Sequence, residues 1–301
     1  MDYIANFFGY ILNFLYDLVQ NYGLAIILFS VLLKIVMLPI TIKQQKSMKK
    51  SQELQGELQK LQVKYKNNQE LLQQETMALY KREKISPFSG CLGTILQLVI
   101  FLSVFYLVSR PLTYMKKIDP QVISNYEQKI SENQENKSNY KEIQIIELYS
   151  NEDERVNINM NFLGLDLSKV PTQNWQDFRV FIIPLLYVVT TFVNMRISTN
   201  MTNKNKKDEE TAKKDKSKGK GKDDDNKEET VEEQLEGMQS MTKSMSYMMP
   251  IMSVGIALIA PLGLSLYWFV SNVLQLVERI SINKFSDSNK EKETKLLEGK
   301  K

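Results

Sequence analysis

Residues 22–42 read YGLAIILFSVLLKIVMLPITI, a run in which Lys34 is the only charged side chain. At 1.5 Å per residue a helix of this length crosses the ~30 Å hydrocarbon core of a bilayer, so a first membrane span is expected here. Three further stretches pass the same inspection. Residues 87–109 (PFSGCLGTILQLVIFLSVFYLVS) are free of charge between Lys84 and Arg110. Arg179 and Arg196 bracket VFIIPLLYVVTTFVNM, which is short for a span unless the arginines snorkel to the interfaces. From Ser244 to Val277 no residue is charged. One helix of that length reaches ~51 Å, so Ala260-Pro261-Leu262-Gly263 is expected to break it into a fourth and a fifth span. Each is near the lower length limit, which implies local thinning of the bilayer.

Whole-chain averages conceal this pattern. A mean hydropathy of −0.29 and 43% hydrophobic residues resemble a soluble protein, because apolar runs and charge runs are segregated along the 301 residues. There is no histidine and a single cysteine, Cys91, which removes His-based acid/base chemistry, Ser-His-Asp triads, Cys/His zinc sites and internal disulfides. The chain is expected not to be an enzyme and to carry no cofactor or metal. A net charge of +4 gives little support for binding DNA.

Charge balance orients the spans. Residues 43–86 carry 10 Lys/Arg against 5 Asp/Glu, and residues 111–178 carry 7 against 11. By the positive-inside rule the first loop is cytoplasmic and the second external, which places the N-terminus outside and the C-terminus in the cytoplasm of a multi-pass protein of the bacterial plasma membrane. Met1 to Leu33 contain no Lys or Arg, so a cleavable signal is not expected. Within 1–21, Ile4, Phe7, Phe8, Ile11, Leu12, Leu15 and Val19 recur at helical spacing opposite Asn6, Asn13, Asp17 and Gln20, the pattern of an interfacial amphipathic helix.

The expected fold is all-α and integral to the membrane: an external interfacial helix (1–21), spans at 22–42, 87–110, 179–197, 241–260 and 261–282, and a cytoplasmic tail (283–301). Leu54, Leu58, Leu61 and Tyr65, with Asn67-Asn68 as an interruption, predict an antiparallel helical hairpin over 43–86. A solvated connector and a lipid-headgroup contact are both open to it. The external loop 111–178 includes an insertion, 115–156, without a clear pattern. Residues 203–236 hold 10 lysines and 12 acids with almost no apolar content, so 198–240 is read as a disordered charged linker.

Lys34 carries the functional signal, since a charge at mid-span costs about 2.5–3.5 kcal/mol on insertion scales. Snorkelling toward Lys43 is one escape; facing a water-filled cavity is the other. Ser30, Gln97, Tyr106, Thr190, Thr191, Asn194, Ser253, Ser265, Tyr267, Ser271, Asn272 and Gln275 could share that cavity, although each alone is ordinary helix-helix glue. One unpaired cation and no embedded acid point to a hydrated, positively charged groove rather than an ion-pair relay. Methionines 238, 241, 245, 248, 249 and 252 read as packing, with client contact as the lesser reading. Cys91, after Phe88-Ser89-Gly90, reads as a buried small residue and not as a lipidation site.

Four ordered blocks, YGLAIILFSVLLKIVMLPITIKQQKSMKK, LQQETMALYKREKISPFSGCLGTILQ, NFLGLDLSKVP and MMPIMSVGIALIAPLGLSLYWFVSN, resemble the YidC family of membrane-protein insertases in its five-span form without a large external domain. The resemblance implies an insertase and folding chaperone whose hydrophilic groove receives client segments. It implies nascent membrane proteins, the lipid bilayer, translating ribosomes and the Sec translocon as partners. Lys34 stands where the family has an arginine, keeping the charge without the planar fork of donors. Asn194 and Trp268 match groove positions that hold a glutamine and a tryptophan. Gly93 and Val99 stand where proline is usual. The client-binding set expected is Lys34, Asn194, Trp268, Gln97, Ser30, Tyr267 and Asn272. A small-solute (anion) transporter or channel using Lys34 is the main alternative, against which the absence of inverted repeats counts. A scaffold that only recruits partners is a third.

Overall fold

The computed structural model describes residues 2–66, 68–83, 89–132, 138–216, 252 and 254–298. Its helices are α1 (Asp2–Val19), α2 (Tyr22–Lys64), α3 (Gln69–Arg82), α4 (Ser89–Ser109), α5 (Pro111–Tyr114), α6 (Pro120–Glu132), α7 (Lys141–Tyr149), α8 (Ile182–Lys216) and α9 (Leu262–Glu298). Among the described residues two helical stretches are long and apolar enough to cross a membrane, Tyr22–Ser47 and Phe178–Thr199, with mean hydropathies of 2.5 and 1.8; Ile95–Ser109 is a shorter apolar helix. The fourth expected span falls outside the described residues except for 252 and 254–260. So do most of the methionine cluster, residues 217–240 of the linker, and the side chain of Cys91.

The chain divides into two compact units, one of residues 1–38, 97–194 and 253–301 and the other of 39–96 and 195–252. In the first, α1 lies on the core through Ala5, Phe8, Gly9, Leu12 and Tyr16. The small residues allow this: a Cβ on Gly9 would stand 1.8 Å from the Tyr114 carbonyl oxygen of α5. Its outer side carries Tyr3, Phe7, Tyr10, Phe14 and Leu18, all well exposed. The helix is thus apolar on two sides, and Phe7, expected beside Phe8, faces away from it.

The chain is mostly helical, as expected, and has one short ribbon besides. Asn161–Phe162 and Leu165–Asp166 form a two-stranded antiparallel ribbon, because Leu163 and Gly164 both take positive φ, 51° and 79°, as a tight two-residue turn requires. Around this turn the block NFLGLDLSKVP does structural work. Helix N-termini leave backbone N–H groups without intrahelical acceptors. Tyr22 N donates to Asn159 O (3.0 Å), Leu262 N to Lys169 O (2.9 Å) and Gly263 N to Leu167 O (2.9 Å), so one segment between α7 and α8 holds the starts of both α2 and α9. Gly23 lies flush against the Phe162 ring, where a Cβ would meet it at 2.5 Å.

The described residues of the insertion 115–156 include two helices, α6 and α7. Ile123 and Ile130 of α6 and Ile143, Ile145 and Ile146 of α7 join the core. Buried Glu142 accepts from Thr113 N (3.0 Å) and Thr113 Oγ1 (2.6 Å), fixing α7 to α5. Burial pushes the Glu142 carboxyl above the usual range against the pull of those bonds. Tyr114 donates to Asp2 Oδ1 at 2.6 Å; burial, reinforced by that bond, pushes its phenol up to about 12.

Helices outrun their expected ends. α2 continues through Pro39 to Lys64, the proline forgoing one intrahelical bond. α8 runs to Lys216, so residues 198–216 are helical where a disordered linker was expected. No Pro or Gly interrupts them. α9 likewise takes in the tail as far as Glu298. In the second unit Asn68 caps α3 by accepting from Leu71 N (3.0 Å). Leu54 and Leu79 are buried there, and Arg82 bonds Glu57 at 2.8 Å.

Candidate functional site

Lys34 sits a third of the way along α2, partly exposed, and it is not alone. Its ammonium is ion-paired with Glu278 of α9, whose side chain is 4% exposed against 24% for the lysine. This overturns the expectation of an unpaired cation without an embedded acid. Val277 is the last residue of the charge-free run, and Glu278 is the next. A helix that runs on without a break carries that carboxylate into the bundle instead of ending at the membrane surface. The signal was present as spacing: Ser271 and Glu278 are seven residues apart, two turns along one helix face.

The neighbouring Arg279 reaches a different helix, donating from Nη1 to the Asn194 carbonyl oxygen of α8 at 3.3 Å. Seven residues earlier, Asn272 makes the same junction. Its Nδ2 donates to Thr191 Oγ1 at 2.7 Å, and its carbonyl accepts from Asn194 Nδ2 at 3.0 Å. Thr191 in turn donates to Tyr187 O at 2.8 Å. Asn194 and Asn272, expected to line a groove, are therefore bonded to one another as a polar seam between α8 and α9. Inside a bilayer such bonds average about 0.6 kcal/mol each and reach ~1.7, so the seam holds the helices together as well as supplying polarity.

Trp268, 7% exposed, is packed between the ring of Phe101 from α4 (6.2 Å, 14°, stacked) and that of Tyr187 from α8 (5.9 Å, 41°). Its Nε1 and the Asn194 Oδ1 are buried with no hydrogen-bond partner among the described residues. Tyr267 is buried beside it in sequence. Ser30, 4% exposed, spends its hydroxyl on the Ile26 carbonyl of its own helix at 2.7 Å. Gln97 is exposed on α4. Of the seven residues expected at the site, the structure joins Asn194 with Asn272 directly and Lys34 with α9 through Glu278. Ser30 bonds within its own helix and Gln97 is exposed.

Across the proline break, Ser265 Oγ donates to the Ala257 carbonyl at 3.1 Å, and both residues are wholly buried. Ser265, Asn272 and Arg279 thus recur every seven residues along α9, each bonding outward from the helix. Two concavities among the described residues, one lined by Glu57, Lys60, Leu61, Glu75, Ala78, Leu79 and Arg82, the other by residues 69–80, include none of the seven.

A polar seam and an ion pair inside otherwise apolar helices are costly in membranes, and comparison with known proteins gives the family. Residues 14–291 match the model of the family described as 60Kd inner membrane protein. The chain belongs to that family. Within it, the chain is 28% identical over 259 residues to the membrane protein insertase YidC of Clostridium perfringens (strain 13 / Type A), covering 86% of this chain and 76% of that one. It is 42% identical over 109 residues to the YidC insertase of Fusobacterium nucleatum subsp. nucleatum, covering 35% of this chain and 53% of the relative. The YidC insertase of Syntrophus aciditrophicus (strain SB) is 48% identical over 94 residues, 31% of this chain and 17% of its own. The chain therefore spans about half the length, or less, of these last two relatives. The YidC likeness read from the four blocks is a family membership, and as a 60Kd inner membrane protein the chain is a mostly helical membrane protein.

Proposed function

We propose that this chain is a membrane-protein insertase and folding chaperone, moving client segments into the bilayer along a polar path formed by α2, α4, α8 and α9. One observation carries the reading: consecutive residues Glu278 and Arg279 on α9 bind α2 through Lys34 and α8 through Asn194, so charged groups are concentrated inside helices that are otherwise apolar. Lys34, Glu278 and Arg279 together carry one net positive charge. The attraction for an acidic client segment belongs to the cluster and not to Lys34 alone. The unpaired Asn194 Oδ1 and Trp268 Nε1 each cost about 1–3 kcal/mol where they are, which a polar client group can recover.

In this reading the five spans 22–42, 87–110, 179–197, 241–260 and 261–282 surround the path, with the N-terminal helix outside, the tail inside, and the segment 43–86 as a cytoplasmic helical hairpin. Clients are nascent membrane proteins, the drive is the hydrophobic gain of the inserted span together with the membrane potential, and no nucleotide, metal or cofactor takes part. Translating ribosomes and the Sec translocon are the partners the family membership suggests. An anion transporter is less well supported, because Lys34 already holds a carboxylate. In proteoliposomes, Lys34→Arg is expected to retain insertion of a single-span client with an acidic outer segment, and Lys34→Ala to impair it. Equal insertion by the wild type and Lys34→Ala refutes the charged path.

A further inference from the structure

The segment between α7 and α8 turns three large apolar side chains outward while its other side joins the core. Leu163 is 88% exposed, Trp175 70% and Phe178 78%, although Ile158, Leu167 and Val180 of the same stretch are buried in the core. Leu163 stands in the two-residue turn of the ribbon at φ 51°, where L side chains are disfavoured and Asn-Gly is the usual pair. It follows Phe162, whose ring lies against Gly23 at the start of α2. Trp175 lies in the turn that Asp177 N closes on Asn174 O at 3.0 Å. Phe178 is the first residue of the apolar stretch Phe178–Thr199. With Ile182, Leu185, Val189 and Phe192, all exposed, it follows the i, i+4, i+7, i+11, i+14 spacing of one helix face. The three side chains thus gather at the starts of the two helices that are long and apolar enough to cross a membrane.

The charges of the segment are already partnered. Residues 157–181 hold two acids, Asp166 and Asp177, and two bases, Lys169 and Arg179. Arg179 pairs with Asp177 at 2.9 Å and Lys169 with Glu147, while Asp166 accepts from the Ser168 N–H and hydroxyl. What these three side chains present is apolar surface in a segment without net charge, continuous in sequence with the exposed face of α8. From this arrangement we propose that Leu163, Trp175 and Phe178 form an anchor in the headgroup–acyl boundary of the leaflet at which α2 and α8 begin. The occupant is lipid, recognised through apolar contact and the amphipathic indole rather than through lipid charge. The anchor has a mechanical consequence, because the same segment bonds the first N–H groups of α2 and α9. The depth of that clamp is then set by the bilayer itself. The inference rests on α2 and α8 crossing the membrane and is independent of what the chain inserts.

The test uses the full chain in phosphatidylcholine nanodiscs. The emission of Trp175 is isolated as the difference between the wild type and Trp175→Phe, since Trp268 is the other tryptophan of the chain. Quenching by lipid brominated near the acyl carbonyls and protection from iodide in water are expected, unchanged when half of the lipid is replaced by phosphatidylglycerol. Iodide quenching without bromolipid quenching overturns the anchor. So does protection from both quenchers, which means that protein covers the ring, and so does dependence on the anionic lipid. Leu163→Asn supplies a second readout, hydrogen exchange at the Tyr22, Leu262 and Gly263 amides that the segment bonds. Turn chemistry alone favours asparagine at this position and predicts slower exchange. Loss of the anchor predicts exchange roughly tenfold faster, the equivalent of about 1.4 kcal/mol; unchanged or slower exchange refutes the proposal. Alkaline carbonate extraction of reconstituted vesicles tests the spans separately. Release of the chain overturns the spanning helices and the anchor together, whereas retention with Trp175 open to iodide overturns the anchor alone.

Discussion

Truncation of Lys34 separates the energy of the ion pair from the energy of each charge. In Lys34→Ala the Glu278 carboxylate, only 4% exposed, loses the Lys34 ammonium. Breaking a fully buried pair costs about 3–5 kcal/mol, most of it the stranded charge. The lysine side of this pair keeps 24% exposure, and part of its solvation was never given up, so the lower end, about 3 kcal/mol, is expected. Glu278→Gln strands the ammonium instead, which can still turn toward water, and about 1 kcal/mol is expected. The double variant Lys34→Ala/Glu278→Gln strands nothing. Its destabilisation should fall below the sum of the singles by at least ~1.5 kcal/mol, a coupling well outside the ~0.5 kcal/mol scatter of independent sites. Thermal or denaturant unfolding of the four proteins in nanodiscs of one lipid composition closes the cycle. Additive effects within that scatter refute the pairing, and with it the claim that loss of function in Lys34→Ala reports anything other than the missing amine.

Gly9→Ala places a Cβ 1.8 Å from the Tyr114 carbonyl oxygen, backbone that cannot swing aside, and is expected to destabilise the packing of α1 on α5 by about 1–3 kcal/mol; Gly56→Ala, with nothing within 4 Å, should be neutral or slightly stabilising by helix propensity, and equal proteolytic susceptibility of α1 in the two variants refutes the contact. Glu142 has a folded-state pKa raised above its ordinary value by burial, so its contribution is fully present below the unfolded carboxylate pKa of about 4.3 and is lost as pH rises through the folded value. The wild type should therefore lose stability relative to Glu142→Gln between about pH 4 and neutrality, and parallel melting curves for the two across that range contradict the assignment.

What each level of organisation decided is visible in single residues. The apolar run around Lys34 reveals a membrane helix because span length is a local property, set by 1.5 Å of rise per residue against a fixed hydrocarbon thickness. The break at Ala260-Pro261 and the cap at Asn68 are local for the same reason, since proline geometry and a side-chain oxygen act within a turn of their own position. Lys34, Asn194, Asn272 and Trp268 could be singled out as polar or aromatic groups in apolar helices, each an exception to its surroundings. Their partners could not. Glu278 lies just beyond the last charge-free position and pairs with Lys34, Asn194 and Asn272 bond to each other across two helices, and the Ser30 hydroxyl is spent one turn back on its own helix. The ribbon at Asn161–Asp166 went unread because two-residue strands have no periodicity to detect. Composition and spacing along one chain determine which stretches become helices and which side chains are out of place in them. Which face of α9 meets α2, and which meets α8, depends on the close packing of all the helices at once, and only that packing turns a lone cation into an ion pair.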